Sequence, residues 1–129
     1  MIKYACVGSN DLERAKKFYD ALLGSIGMRT YYETSRGGRM YGHPQTGLFS
    51  IAVPYNGEPA TIGNGTMAGF CLDSPDEVSA FHAKALSLGA ADEGHPGPRG
   101  TLEPAAFFAY FRDPDGNKLC AYWIPDTQY

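Results

Sequence analysis

Tyr110-Phe111-Arg112-Asp113-Pro114-Asp115-Gly116-Asn117-Lys118-Leu119 reads as a strand, a tight turn and the start of the next strand. Proline presets φ, aspartate hydrogen-bonds to its own backbone, and glycine accepts positive φ. Asp113–Gly116 is therefore strong turn chemistry. Aromatic and apolar residues flank the turn on both sides, as a hairpin requires. The spacing predicts a closing hairpin from Ala105–Arg112 and Asn117–Ile124.

Working back from that hairpin, Thr66–Leu72 is a strand candidate and a helix follows it. Ser74 caps this helix, Pro75 occupies its first position and Glu77 completes a capping box. Val78, Phe81, Ala85 and Leu88 form its apolar stripe, and Gly89 stops it. Residues 91–104 hold three Pro and three Gly and read as a loop with room for one short edge strand. The first half has the same order. Residues 2–8 are a strand, and Asn10 with Glu13 at capping-box spacing starts a helix near residue 11. Its buried stripe is Leu12, Ala15, Phe18 and Leu22, widened by Tyr19 and Leu23, at steps of three and four. Gly24 and Gly27 end it. Strands are expected at Met28–Glu33, Arg39–His43 and Gly47–Val53, and Pro54–Gly65 reads as a connector.

The halves align at one offset. Phe18 and Phe81, Ala15 and Val78, and Leu22 and Ala85 all lie 63 residues apart, close to half of the 129-residue chain. The fold class is therefore α+β. Two tandem βαβββ modules are expected to form a curved mixed sheet around a cleft, with helices outside. Module one covers about 1–55, the linker about 54–65 and module two about 66–125. Parallel pairing within each module needs a crossover, and each helix supplies one.

Composition narrows the function. The chain is 43% hydrophobic and 13% aromatic with a formal net charge of -3, which gives no support for nucleic acid or an anionic membrane as partner. No apolar run approaches membrane-spanning length. Residues 1–6 enter a strand directly and lack signal-peptide shape, which points to the cytoplasm. Cys6, Cys71 and Cys120 show no metal-type spacing and read as reduced, buried small residues.

The opening Asn10-Asp11-Leu12-Glu13-Arg14-Ala15 with Phe18-Tyr19, and the closing Tyr110–Asn117 motif, resemble the vicinal oxygen chelate superfamily. That superfamily includes glyoxalase I, bleomycin-resistance proteins, fosfomycin-resistance enzymes and extradiol dioxygenases. The resemblance covers essentially the whole chain. In catalytic relatives a divalent metal sits in the cleft, held by His and Glu from the first and last strands of each module. The resemblance places those positions at Tyr4, at Phe49 or Ile51, at Met67 and at Cys120. None is His, Asp or Glu, and a catalytic divalent site needs about three protein ligands. No cofactor is therefore expected. His43, His82 and His95 fall at no ligand position, and His82 is expected on a partly exposed helix face.

Strand alternation gives the cleft-facing set. Tyr4 brings Cys6 with it, Met67 brings Gly69 and Cys71, and Cys120 brings Lys118 and Tyr122. Tyr110 is a substrate-contact position in relatives, and Phe108 and Arg112 share its face. Tyr4, Cys6, Met67, Phe108, Tyr110, Cys120 and Tyr122 are the candidate ligand-binding residues. They either wall a pocket for a flat or apolar small molecule or fill an ordinary core. Arg36, Arg39 and Arg99 sit where they could attract an anion or simply be solvated. The resemblance implies a homodimer. The leading expectation is a metal-independent small-molecule-binding protein. The alternative is a lyase or dioxygenase using a divalent metal or Tyr4, Tyr110 or Cys120 as acid or base.

Overall fold

The side chain of Asp11 accepts the backbone N–H of Arg14 at 3.1 Å, and this starts the first helix. Asp11, not Asn10, is thus the N-cap. Asn10 is committed elsewhere: its side chain exchanges two hydrogen bonds with the Ala60 backbone, at 2.9 and 2.7 Å, and so pins the connector. In the computed structural model, which describes residues 1–101 and 103–126, the element order is β1 (Tyr4–Gly8), α1 (Leu12–Gly24), β2 (Thr30–Glu33), β3 (Arg39–His43), β4 (Gly47–Ala52), β5 (Ala68–Cys71), α2 (Pro75–Ser87), β6 (Ala91–Arg99), β7 (Ala106–Arg112) and β8 (Lys118–Trp123).

The two βαβββ modules are present. Each builds its own four-stranded mixed sheet, in the orders β1-β4-β3-β2 and β5-β8-β7-β6. In each, the first and last strands pair in parallel and the rest antiparallel. The edge strand allowed for within residues 91–104 is present and longer than expected. Ala91–Arg99 is a nine-residue strand on the sheet edge. Its Gly and Pro are accommodated because it is an edge strand with register shifts around Gly94, where ladder donors are dispensable.

The helix-facing sides of both sheets share one core. Ala15, Phe18, Leu22 and Leu23 of α1 and Val78, Phe81 and Ala85 of α2 are buried in it. A chain of ring contacts crosses the module boundary: Tyr19–Phe49 at 5.1 Å, Phe49–Phe70 at 5.1 Å, Phe70–Phe81 at 5.5 Å and Phe81–Phe111 at 6.0 Å. Burying each such ring contributes about 1.5–3 kcal/mol.

The turn at 113–117 joins the modules. Asp113 is buried, and its Oδ1 accepts the backbone N–H groups of Asp115 and Asn117 at 3.0 and 2.9 Å. Its Oδ2 accepts the Tyr19 hydroxyl at 2.5 Å and the Asn117 side-chain amide at 3.0 Å. Asn117 also donates to the Gly8 carbonyl at 2.9 Å. Asp115 accepts from Ser9 Oγ at 2.7 Å and from the Asn10 backbone N–H at 3.0 Å, and pairs with Arg14 at 3.4 Å. Gly116, at φ +88°, makes the turn sterically possible. Burial, followed by the Asp113 charge, pushes the Tyr19 pKa well up, so the hydroxyl remains a donor.

This clasp makes a coupled prediction. Tyr19→Phe should cost about 1–2 kcal/mol and Asp113→Ala about 3–5 kcal/mol, because the second leaves four donors without an acceptor. In the Asp113→Ala background, Tyr19→Phe should cost almost nothing. Urea denaturation of the double-mutant cycle measures this, and additive losses would contradict the clasp.

Candidate functional site

Strand alternation splits each sheet into a helix face and an open face. On β1, Ala5 and Val7 pack toward the core, so Tyr4 and Cys6 point the other way. The parallel register sets Cys6 beside Ser50, and the Tyr4 hydroxyl and Ser50 Oγ are hydrogen-bonded at 2.9 Å. Phe49 and Ile51, proposed from sequence as the fourth ligand position, are in the core instead. Ser50 is the open-face residue of β4. It corresponds to Cys120, because the same parallel register in module two sets Gly69 beside Cys120.

The open face of the second sheet is aromatic. Phe108 stacks on Tyr110 at 5.9 Å and 13°, and on Tyr122 at 5.4 Å and 16°. Glycines make room for two of these rings. A Cβ at Gly94 would lie 2.8 Å from the Tyr110 ring, and one at Gly69 would lie 3.0 Å from the Tyr122 ring and 2.9 Å from Cys120 Sγ. The side chains therefore lean over the neighbouring strands, close to the sheet. Cys120 is buried beneath them, and that burial pushes its thiol pKa up to about 11, opposed weakly by Lys118. Burial, then Cys71, raises the Tyr122 pKa as well. Cys6 and Cys71 are exposed, so only Cys120 is the buried cysteine expected of all three.

A groove of about 1110 Å³ runs between the modules, with Tyr4, Leu48, Met67, Gly69, Cys71 and Tyr122 in its wall. Met67 lies one residue before β5 and is half-exposed. Asp73, Glu77 and Lys84 bring charge to the groove. Of the residues chosen from sequence, Tyr4, Met67 and Tyr122 meet in the groove. Phe108, Tyr110 and Cys120 belong to the open face that continues from Tyr122, and Cys6 lies on the open face of the first sheet.

The donor chemistry does not fit a divalent metal. The strand positions carry phenol (Tyr4), hydroxyl (Ser50), thioether (Met67) and a protonated thiol (Cys120), not imidazole or carboxylate. Among the described residues, no three His, Cys, Asp or Glu side chains come together to hold an ion. The histidines lie elsewhere. His82 is buried, not half-exposed, because its Nε2 lies 3.1 Å from both Asp92 Oδ1 and the Tyr110 carbonyl. His95 pairs with Asp92 at 3.1 Å on the outer strand β6. Arg39 is bound by Asp20 and Glu33, and Arg36 donates to the Tyr55 carbonyl. Ser50 and Leu48 were missed from sequence. Only the parallel register reveals which parity of β4 shares a face with Tyr4.

Paired βαβββ modules with a groove at their junction define an α+β protein of the paired-module class. The family model for the glyoxalase/bleomycin resistance protein/dioxygenase superfamily matches residues 1–121, and the chain belongs to that superfamily. The chain is similar in structure to a glyoxalase/bleomycin resistance protein from Albidiferax ferrireducens T118, with 44% identity and a TM-score of 0.86 over 97% of this chain and 99% of the other. A glyoxalase-related enzyme from Fulvimarina pelagi shares the fold at 16% identity and a TM-score of 0.75, over 97% and 88% of the two chains. A glyoxalase/bleomycin resistance protein/dioxygenase family enzyme from Burkholderia phytofirmans PsJN does so at 15% identity and 0.70, over 95% and 98%. No match was found among curated protein sequences.

The thiols give a direct check on this geometry. At about pH 8, Ellman's reagent should titrate Cys6 and Cys71 within the mixing phase, and Cys120 only after unfolding. Three equally fast thiols would place Cys120 at the surface.

Proposed function

We propose that this protein binds a small molecule at the junction of its modules without using a divalent metal. The observation that carries this reading is the groove of about 1110 Å³ lined by the Tyr4 and Tyr122 phenols, the Met67 thioether and the Cys71 thiol beside Leu48, Phe49 and Phe70. Such a lining favours stacking and apolar contact over chelation. Tyr4, Met67 and Tyr122 would contact the ligand in the groove, and Phe108 and Tyr110 would extend the contact surface. Cys120, with its pKa near 11, is a thiol at neutral pH and is unsuited to act as a nucleophile.

A thermal-shift screen of small aromatic and apolar compounds tests the reading, run with and without EDTA. Stabilisation by at least one compound should persist in EDTA and should weaken about tenfold in apparent affinity in Tyr122→Ala, a loss typical of one buried aromatic contact. Stabilisation that appears only with an added divalent ion would contradict it.

A further inference from the structure

The open face of the second sheet combines a row of stacked aromatic rings with two cations, Arg99 and Lys118, that form no salt bridge among the described residues. Arg99 lies 5.7 Å from the centre of the Tyr110 ring and Lys118 lies 5.5 Å from it. Among the described residues, Arg99 donates only to the backbone carbonyls of Pro98 and His95. Among the described residues, no carboxylate lies within ion-pair distance of either cation. Arg112 on the same face differs, because Glu93 neutralises it at 2.5 Å and the Gly116 carbonyl accepts from it. The face therefore carries three cations, Arg99, Lys118 and Arg112, against one carboxylate, Glu93, which pairs with Arg112 and also feels Lys118, although the whole chain has a formal net charge of -3.

The sheet has also been cleared for these groups. Gly94 opposes Tyr110 across the β6–β7 ladder, and any Cβ there would strike the ring. Gly97 leaves the same kind of space for Arg99, whose Nη1 would lie 3.0 Å from a Cβ at that position. Phe108 is stacked on Tyr110 at 13° and on Tyr122 at 16°, and all three rings are half-buried, so they form one partly exposed aromatic row along the face. One end is at the groove through Tyr122, and the other lies under the two cations.

We infer that the ligand of this protein is a planar aromatic anion: an aromatic ring system carrying a carboxylate, sulfonate or phosphate. Its ring packs against the exposed parts of Phe108 and Tyr122, and its anionic group reaches Lys118 and Arg99 at the Tyr110 end. Stacking supplies contact area, and the cations read the charge. This inference rests on the metal-independent binding reading above and names the ligand class for it.

Calorimetric titration with three matched probes tests it: 2-naphthoate, neutral 2-naphthamide and cationic 2-naphthylmethylamine. Amide chemical shifts are recorded in parallel. The anionic probe should bind about tenfold or more tightly than the other two, the order expected for one desolvated charge pair. Its largest shifts should fall on Gly69, Gly94 and Lys118. Lys118→Met should erase the preference for 2-naphthoate, lowering its affinity to that of naphthamide, while the rank of the neutral and cationic probes does not invert. Arg99→Met should act in the same direction, and Tyr110→Leu should weaken all three probes. Equal binding of the three probes, or shifts confined to the groove, overturns the anion assignment and leaves the metal-independent binding reading standing. Binding of 2-naphthoate that requires an added divalent ion overturns both, and no binding of any probe overturns the inference. A face occupied instead by a second copy would show as a dimer that Tyr110→Glu dissociates, with no probe shifts on Gly94, and would also overturn the inference.

Discussion

The carboxylate of Asp113 ties the closing turn of module two to the first helix of module one. It is buried, and it satisfies two backbone donors of its own turn, one side-chain amide and the hydroxyl of Tyr19 on α1. A buried carboxylate is tolerable only when its lone pairs are filled, and here they are. The same turn offers Asp115 to Ser9, Asn10 and Arg14, and Asn117 to the Gly8 carbonyl. A hairpin turn at the end of module two thus fixes the exit of β1 and the start of α1. Tyr19 carries the constraint inward, because its ring packs on Phe49 and Phe49 packs on Phe70. Polar closure at the turn and aromatic packing beneath it are one continuous structure.

That closure leaves the opposite sheet faces free. With the helices and the core on one side, the residues of alternate parity have no helix to cover them. On the first sheet these are Tyr4, Cys6 and Ser50. On the second they are Phe108, Tyr110, Lys118, Cys120 and Tyr122. Small residues decide how they are used. Gly69 and Gly94 let the Tyr122 and Tyr110 side chains lean across the sheet. Those rings cover Cys120, and the loss of water holds it as a thiol. The surface that results suits stacking and lacks the donors for a divalent ion.

The hairpin and both helices were legible in the sequence because their signals are local. Asp-Pro-Asp-Gly specifies a turn by itself, and the apolar stripes of α1 and α2 repeat at helical spacing. The features that were misread depend on partners distant in sequence. Asn10 has the spacing of a cap, but the connector residue Ala60 takes its hydrogen bonds and Asp11 caps instead. Ala91–Arg99 is rich in Gly and Pro, so the sequence showed room for only a short edge strand, and β7 extends it to nine residues. His82 looks like a half-exposed helix residue until Asp92 and the Tyr110 carbonyl close over it. Phe49 and Ile51 were assigned to the cleft because β4 parity cannot be fixed without the parallel register to β1. The open-face parity of β8 was read correctly because the turn at 113–117 counts it out from a fixed point.

The central claim is that the strand positions of this member of the superfamily serve an organic ligand and not a divalent ion. Calorimetric titration of Ni²⁺, Zn²⁺ and Mn²⁺ into the chelator-free protein tests it most directly. The expected result is no saturable binding tighter than millimolar and no rise in unfolding temperature. One ion per chain bound at micromolar affinity or tighter, and lost in Cys120→Ala, would contradict it.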